Sequence, residues 1–180
     1  MREIHNTYIP LRIHMHNNIQ VELVPGGTLP TKGDPQAAGY DLYARIDSEI
    51  VLSPGERVIV PVGIKTFMPI GWRGRICDRS GLAAKQGIHT LAGLIDSSFR
   101  NEWQVVLINL SKPSYRLDEG CEDGCCLPEI WEDSEQNFKI EPNMRIAQVC
   151  FERVDEVSLE LVPSISIEGD RSGGFGSTGS

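Results

Sequence analysis

Residues 104–110 read Gln-Val-Val-Leu-Ile-Asn-Leu, and this stretch decides the fold class. Val105, Leu107 and Asn109 alternate with Val106, Ile108 and Leu110, a period of two that suits a strand and not a helix. The same alternation puts Val58, Val60 and Val62 on one side of 57–62. Residues 145–154 mix Ile, Val, Phe and Cys as a strand does. Between such runs stand Pro25-Gly26-Gly27, Pro54-Gly55, Pro69-Ile70-Gly71 and Glu141-Pro142-Asn143, the composition of turns. Short strands so punctuated predict an all-β sandwich or barrel. Helical character is confined to Gly81–Gln86, about one and a half turns, closed by Gly87.

With 180 residues and no internal repeat, the chain reads as a single domain over 1–180. Lys+Arg 17 against Asp+Glu 25 leaves a net charge of −8, which argues against a nucleic-acid binder that neutralises phosphates. That charge is local. Asp118, Glu119, Glu122, Asp123, Glu129, Glu132, Asp133 and Glu135 fall in 117–138 with no base among them, so the segment reads as an acidic insertion. Cys121, Cys125 and Cys126 lie there too, but C-x3-C-C lacks the second ligand pair of a zinc site. Cys77 and Cys150, in apolar surroundings, are expected as small buried hydrophobes. His14 and His16, two apart, would share one face of a strand and make a weak metal site at best. The first eighteen residues carry charges and histidines throughout, so they do not read as a signal peptide, and 1–20 reads as an N-terminal extension. No run approaches the ~20 apolar residues of a membrane helix. A cytoplasmic protein with reduced thiols is expected, with neither membrane nor nucleic acid as partner.

Two nucleotide signatures fail. Gly174-Phe-Gly-Ser-Thr-Gly179 matches G-x-G-x-x-G but lacks the flanking strand and helix that make that pattern a dinucleotide site, and no P-loop occurs. Three other stretches carry chemistry: 38–44 (Ala-Gly-Tyr-Asp-Leu-Tyr-Ala), 78–83 (Asp-Arg-Ser-Gly-Leu-Ala) and 93–100 (Gly-Leu-Ile-Asp-Ser-Ser-Phe-Arg). Arg79, Ser80 and Gly81 open the short helix, so they are either an ordinary cap or a cradle for an anion. Asp96, after Leu94-Ile95, is either a turn-capping carboxylate or a base at the mouth of a pocket. The tail from 168 is too Gly-rich for a strand, yet holds one arginine and one aromatic. It reads as a frayed end or as a mobile arm that orders over a ligand.

Together with 145–148 (Arg-Ile-Ala-Gln) and 173–179 (Gly-Gly-Phe-Gly-Ser-Thr-Gly), these stretches resemble the five ordered motifs of the trimeric dUTPase family. The resemblance runs from about 21 to 179, outside the acidic insertion. It implies a jelly-roll-like β-clip fold, a homotrimer with shared active sites, and hydrolysis of dUTP to dUMP and pyrophosphate with Mg2+. By motif match Asp96 is the general base, Arg79, Ser80, Gly81 and Gln148 face the phosphates, and Asp41 is an indirect Mg2+ ligand through water. Gly93, Leu94 and Ile95 lie on the hairpin that reads uracil, Phe99 lies under deoxyribose, and Thr90 and Gln104 fall where family members contact the base. In the arm at 168–180, Phe175 with Gly176 would cover uracil and Arg171 would meet the γ-phosphate.

The chain departs from the family pattern in four places. Phe99 replaces a tyrosine, Asn101 replaces a glycine whose turn Asn can also make, Arg171 stands one residue nearer Phe175, and the acidic insertion is added. A dCTP deaminase is disfavoured because Val106 occupies the place of its catalytic glutamate, and an aliphatic side chain moves no protons. The remaining alternative is a binding protein of the same fold that docks a regulatory protein through 117–138, where Leu127, Ile130 and Trp131 sit among the acids. A solvated loop explains that segment as well.

Overall fold

The computed structural model describes residues 18–112 and 136–165. Of the expectations above, those on 1–17, on 117–135 and on Arg171, Phe175 and Gly176 lie outside the described residues. Eleven strands and one helix follow one another in the described chain: β1 (Gln20–Leu23), β2 (Tyr40–Tyr43), β3 (Ile50–Leu52), β4 (Arg57–Pro61), β5 (Ile64–Phe67), β6 (Trp72–Cys77), α1 (Ser80–Gln86), β7 (Ile88–Leu91), β8 (Leu94–Asp96), β9 (Gln104–Asn109), β10 (Phe138–Ile140) and β11 (Arg145–Arg153). Every strand pairing is antiparallel. A four-stranded sheet runs β2-β11-β6-β8, a three-stranded sheet runs β4-β9-β7, and β1-β5 and β3-β10 form two short pairs.

The alternation at 104–110 is realised as β9. Val105 and Leu107 are buried while Val106 and Ile108 are partly exposed. Asn109 occupies an inward position and is fully buried, which an amide tolerates only when bonded. Its Nδ2 donates to the carbonyls of Leu52 and Gln136, at 3.0 and 2.9 Å, and its Oδ1 accepts from Ser111 N–H at 2.9 Å. One polar side chain thereby ties β9 to the ends of β3 and β10. Phe138 opens β10 as a core residue, so the last residue of the 117–138 segment belongs to the fold.

Trp103 is the largest fully buried side chain. It fills the space above Gly74 on β6, where an added Cβ would lie 2.7 Å from the indole ring, so strand and ring are matched in size. The helix begins at Ser80 and closes on Gly87, whose φ of 63° is the left-handed cap conformation that glycine adopts without strain. Asn101, by contrast, has no left-handed backbone; among the described non-glycine residues only Ala92 and Asn143 have positive φ. The glycine-to-asparagine departure therefore needs no special tolerance here.

Beside Trp103 sits a charge pair. Arg45 Nε and Nη2 donate to Glu102 Oε1 and Oε2 at 2.6 and 2.7 Å, and Gly63 N–H donates to Oε1 at 2.9 Å. Bonds from the Arg45 guanidinium outweigh the opposing effect of burial and hold the Glu102 carboxyl below its ordinary value. A carboxylate depressed in this way stabilises the fold fully above its unfolded pKa of about 4.3, and that contribution fades as pH falls through the folded value. Glu102→Gln is expected to cost about 1–3 kcal/mol at pH 7. In urea unfolding followed against pH, the gap between wild type and variant should narrow below about pH 4.

Candidate active site

The four-stranded sheet has one apolar and one polar face. Leu42, Ile76, Val149 and Phe151 point into the core; Asp41, Arg73, Arg75, Cys77, Leu94, Asp96, Gln148, Cys150 and Glu152 share the other side by strand register. Cys77 and Cys150, expected in the core, are half-buried on this polar face instead, because strand parity places them with Gln148. Burial and the neighbouring Cys77 push the Cys150 thiol up, away from a reactive thiolate.

Gln148 reaches that face by an irregularity. In an even strand, Arg145 and Gln148, three apart, would point to opposite sides. Between Arg145 and Ala147 the register against β2 shifts by one residue, so Ile146 and Ala147 are both buried, Arg145 stands opposite Tyr43 and Gln148 opposite Asp41. The bulge brings both polar side chains to one carboxylate.

That carboxylate is 2% exposed. Oδ1 of Asp41 accepts from Arg79 Nε and Gln148 Nε2, each at 3.2 Å, and Oδ2 accepts from Arg145 Nη1 at 3.2 Å. Arg79 Nη1 also donates to the Arg145 carbonyl at 3.0 Å. Three residues expected at the site, Asp41, Arg79 and Gln148, thus form one cluster, joined by Arg145. Ser80 and Gly81, the first residues of α1, are exposed, and no side chain caps the helix start. Their backbone and hydroxyl donors are open to a ligand.

The β7–β8 segment borders this cluster through β6; its strands belong to different sheets, β7 pairing with β9 and β8 with β6, so the hairpin expected here is not a paired one. Gly93 lies so close to β6 that an added Cβ would be 2.9 Å from the Ile76 carbonyl oxygen, and the Gly93 carbonyl accepts from Ile76 N–H at 2.7 Å. Ala92, before it, holds φ at 55°, a conformation unusual for a residue with a Cβ. Leu94 is exposed, Ile95 is half-buried against the core, and Asp96 ends β8 exposed and opposite Arg73. Arg73 is in turn paired with Glu152 at 2.9 Å. Phe99 follows a turn closed by its N–H on the Asp96 carbonyl at 3.1 Å, its ring partly exposed.

Gln104 is apart from these groups: it opens β9 opposite Pro61, on the three-stranded sheet, and is exposed. Thr90 on β7 is held by Asp78, a residue given no role from the sequence; so are His89 and Arg145 without assigned roles there. The signal for Arg145 was its place in the Arg-Ile-Ala-Gln stretch, of which only Gln148 was given a role. Among the described residues no group of three acids, histidines or cysteines could hold a metal by itself.

The dUTPase family model matches residues 26–121. The deoxyuridine 5'-triphosphate nucleotidohydrolase of Chlamydia pneumoniae is 40% identical over 161 residues, covering 88% of this chain and 95% of that protein. The chain belongs to the dUTPase family. The Mus musculus enzyme of the same name is 37% identical over 159 residues, 88% of this chain and 83% of that protein. A mutant of the Staphylococcus bacteriophage 80alpha dUTPase, solved with dUpNHpp, superposes with a TM-score of 0.73 at 22% identity, covering 91% of this chain and 99% of that one. The architecture is therefore the jelly-roll-like fold of dUTPases, as expected.

Removing the Asp41 charge leaves two arginines without their shared partner. Asp41→Asn is expected to lower stability by about 3 kcal/mol, read by urea unfolding at pH 7.

Proposed function

We propose that this dUTPase cleaves dUTP to dUMP and pyrophosphate with Asp96 as the general base that activates water for attack on the α-phosphorus. The observation that carries the reading is the gathering of Arg79 and Gln148 on Asp41, beside an uncapped α1 start and on the sheet face that ends in Asp96. Kinship with dUTP nucleotidohydrolases over most of the chain supports the substrate. Arg79, Ser80, Gly81 and Gln148 meet the phosphates, where fixed donors and a guanidinium offset negative charge. Arg73, Arg75, Arg79 and Arg145 share this face with Asp41, Asp96 and Glu152, so four guanidiniums stand against three carboxylates where a triphosphate would approach.

Asp96 is exposed and, among the described residues, takes no bond from an arginine, which leaves its carboxylate open to an attacking water. The hairpin Gly93-Leu94-Ile95 presents its backbone to uracil, with Gly93 seated too close to β6 to admit a side chain. Phe99 supplies a ring beneath deoxyribose. Thr90 stands toward the base in this reading, whereas Gln104, on the three-stranded sheet, would meet it only from another subunit. Arg171 and Phe175-Gly176, from the arm of a neighbouring subunit in a homotrimer, close over the nucleotide. A trimeric, cytoplasmic enzyme is the setting this reading requires.

The donor set fits Mg2+ held chiefly by the triphosphate. Among the described residues Arg145 is the one donor to Asp41 Oδ2, so this is the oxygen that would accept from a metal-bound water, while Oδ1 keeps Arg79 and Gln148 in place. When bound, Mg2+ neutralises the phosphates and orients them.

Pyrophosphate release from dUTP with Mg2+, run beside dCTP, dTTP and UTP, tests the reading. Selective dUTP turnover is expected, and Asp96→Asn should lower kcat by about 10²–10⁴-fold with the fold unchanged. Equal turnover by the variant would remove Asp96 from the base role. No turnover of any nucleotide by wild type would refute the enzymatic reading.

A further inference from the structure

Asp78 lies between the end of β6 and the start of α1, one residue before Arg79. Its carboxylate is committed to the neighbouring hairpin. Oδ1 accepts from both the Thr90 N–H and the Thr90 hydroxyl, each at 2.7 Å, and Oδ2 meets His89 Nδ1 at 2.6 Å. Burial pushes the Asp78 carboxyl up, but bonds from His89 and Thr90 outweigh it and hold the group below its ordinary value, so it is ionised at neutral pH. An ionised carboxylate has no proton to give, and the Thr90 hydroxyl must therefore donate toward Asp78. Only lone pairs remain on that hydroxyl for anything else.

We propose that Asp78 is a positioning residue that sets base specificity by turning the Thr90 hydroxyl into a fixed acceptor toward a bound pyrimidine. The inference rests on the reading that Thr90 stands beside the base of dUTP, with its hydroxyl facing the N3 edge. Uracil carries hydrogen on its N3, whereas cytosine has a lone pair at the same place. A fixed acceptor attracts the first and repels the second; a freely rotating hydroxyl would serve both. The same carboxylate ties β7 to the turn that leads into Arg79.

The test uses the full chain with Mg2+. It measures KM and kcat for dUTP and the inhibition constant of dCTP against dUTP, for wild type, Asp78→Ala, Asp78→Asn, Thr90→Val and the double variant Asp78→Ala/Thr90→Val. In Asp78→Ala, KM for dUTP is expected to rise about threefold or more, kcat to stay within about twofold, and the preference for dUTP over dCTP to fall about tenfold. Asp78→Asn keeps an oxygen that accepts from both Thr90 donors and should restore most of that preference. Thr90→Val removes the hydroxyl at nearly constant shape and should lose the same preference, with the double variant falling no further. Unchanged preference in Asp78→Ala, or additive losses in the double variant, would overturn the proposal. Should Asp78→Ala fail to fold by thermal melt, a Thr90→Val protein that keeps wild-type preference overturns it equally. Wild type inert toward dUTP would refute the functional reading instead, and calorimetric binding of dUTP and dCTP to the same variants would then decide the role of Asp78.

Discussion

A carboxylate removed from water has to be compensated by partners within hydrogen-bond reach, and Asp41 is compensated from three elements at once. β2 supplies the acid, the residue before α1 supplies Arg79, and β11 supplies Arg145 and Gln148. Each of those side chains is long, and none would hold one position on a solvated sheet face unaided, because ordering such chains costs rotamer entropy. The buried charge fixes them together. It also explains why an acid whose neighbours Tyr40, Leu42 and Tyr43 are partly or fully buried is kept at a position where an apolar residue would pack as well: replacing it would free Arg79 and Gln148 from each other.

Much of the frame was legible from residues alone. Alternation in β4 and β9, the turn residues between strands and the glycine that ends α1 are local signals, and local chemistry produced local structure. The site was legible as a set of stretches, but not as a geometry. Asp41 and Gln148 are 107 residues apart, and their meeting depends on a one-residue register shift in β11 that no composition encodes. Period-two reasoning assigns Arg145 and Gln148 to opposite faces, and the bulge reverses that assignment. Cys77 and Cys150 were misjudged for a related reason: apolar neighbours along the chain say little about which face of a strand a residue takes.

Asn109 shows the same limit from the other side. Its position in the alternating run marks it as inward-facing, correctly, yet an inward asparagine reads from sequence as an error in the pattern. Only the folded chain shows that its amide meets the carbonyls of Leu52, buried at the end of β3, and of Gln136, just before β10. Asp78 is the functional counterpart. Beside Arg-Ser-Gly it reads as part of an anion-binding turn, where a negative charge is counterproductive, until its carboxylate is seen directed at Thr90 and His89.

The two acids together define how the turn at 78–79, the proposed phosphate site, is built. Arg79 is drawn toward β2 by Asp41, while Asp78, its immediate neighbour, is drawn toward β7 by Thr90 and His89. Adjacent residues pulled to opposite sides leave the backbone at 78–79 little freedom, and the chain enters α1 directly from there. Ser80 and Gly81 stay exposed, and among the described residues no side chain bonds the first-turn N–H groups. Rigid flanks around unfilled donors are what a preorganised anion site needs, since donors already aimed at the ligand lose little on binding and need no rearrangement as charge develops. The cost of that rigidity is carried by carboxylates that never need to touch the nucleotide. A site of this construction can keep its exposed elements short, a helix of seven residues and strands of four and three, because its precision comes from buried charge on the neighbouring strands.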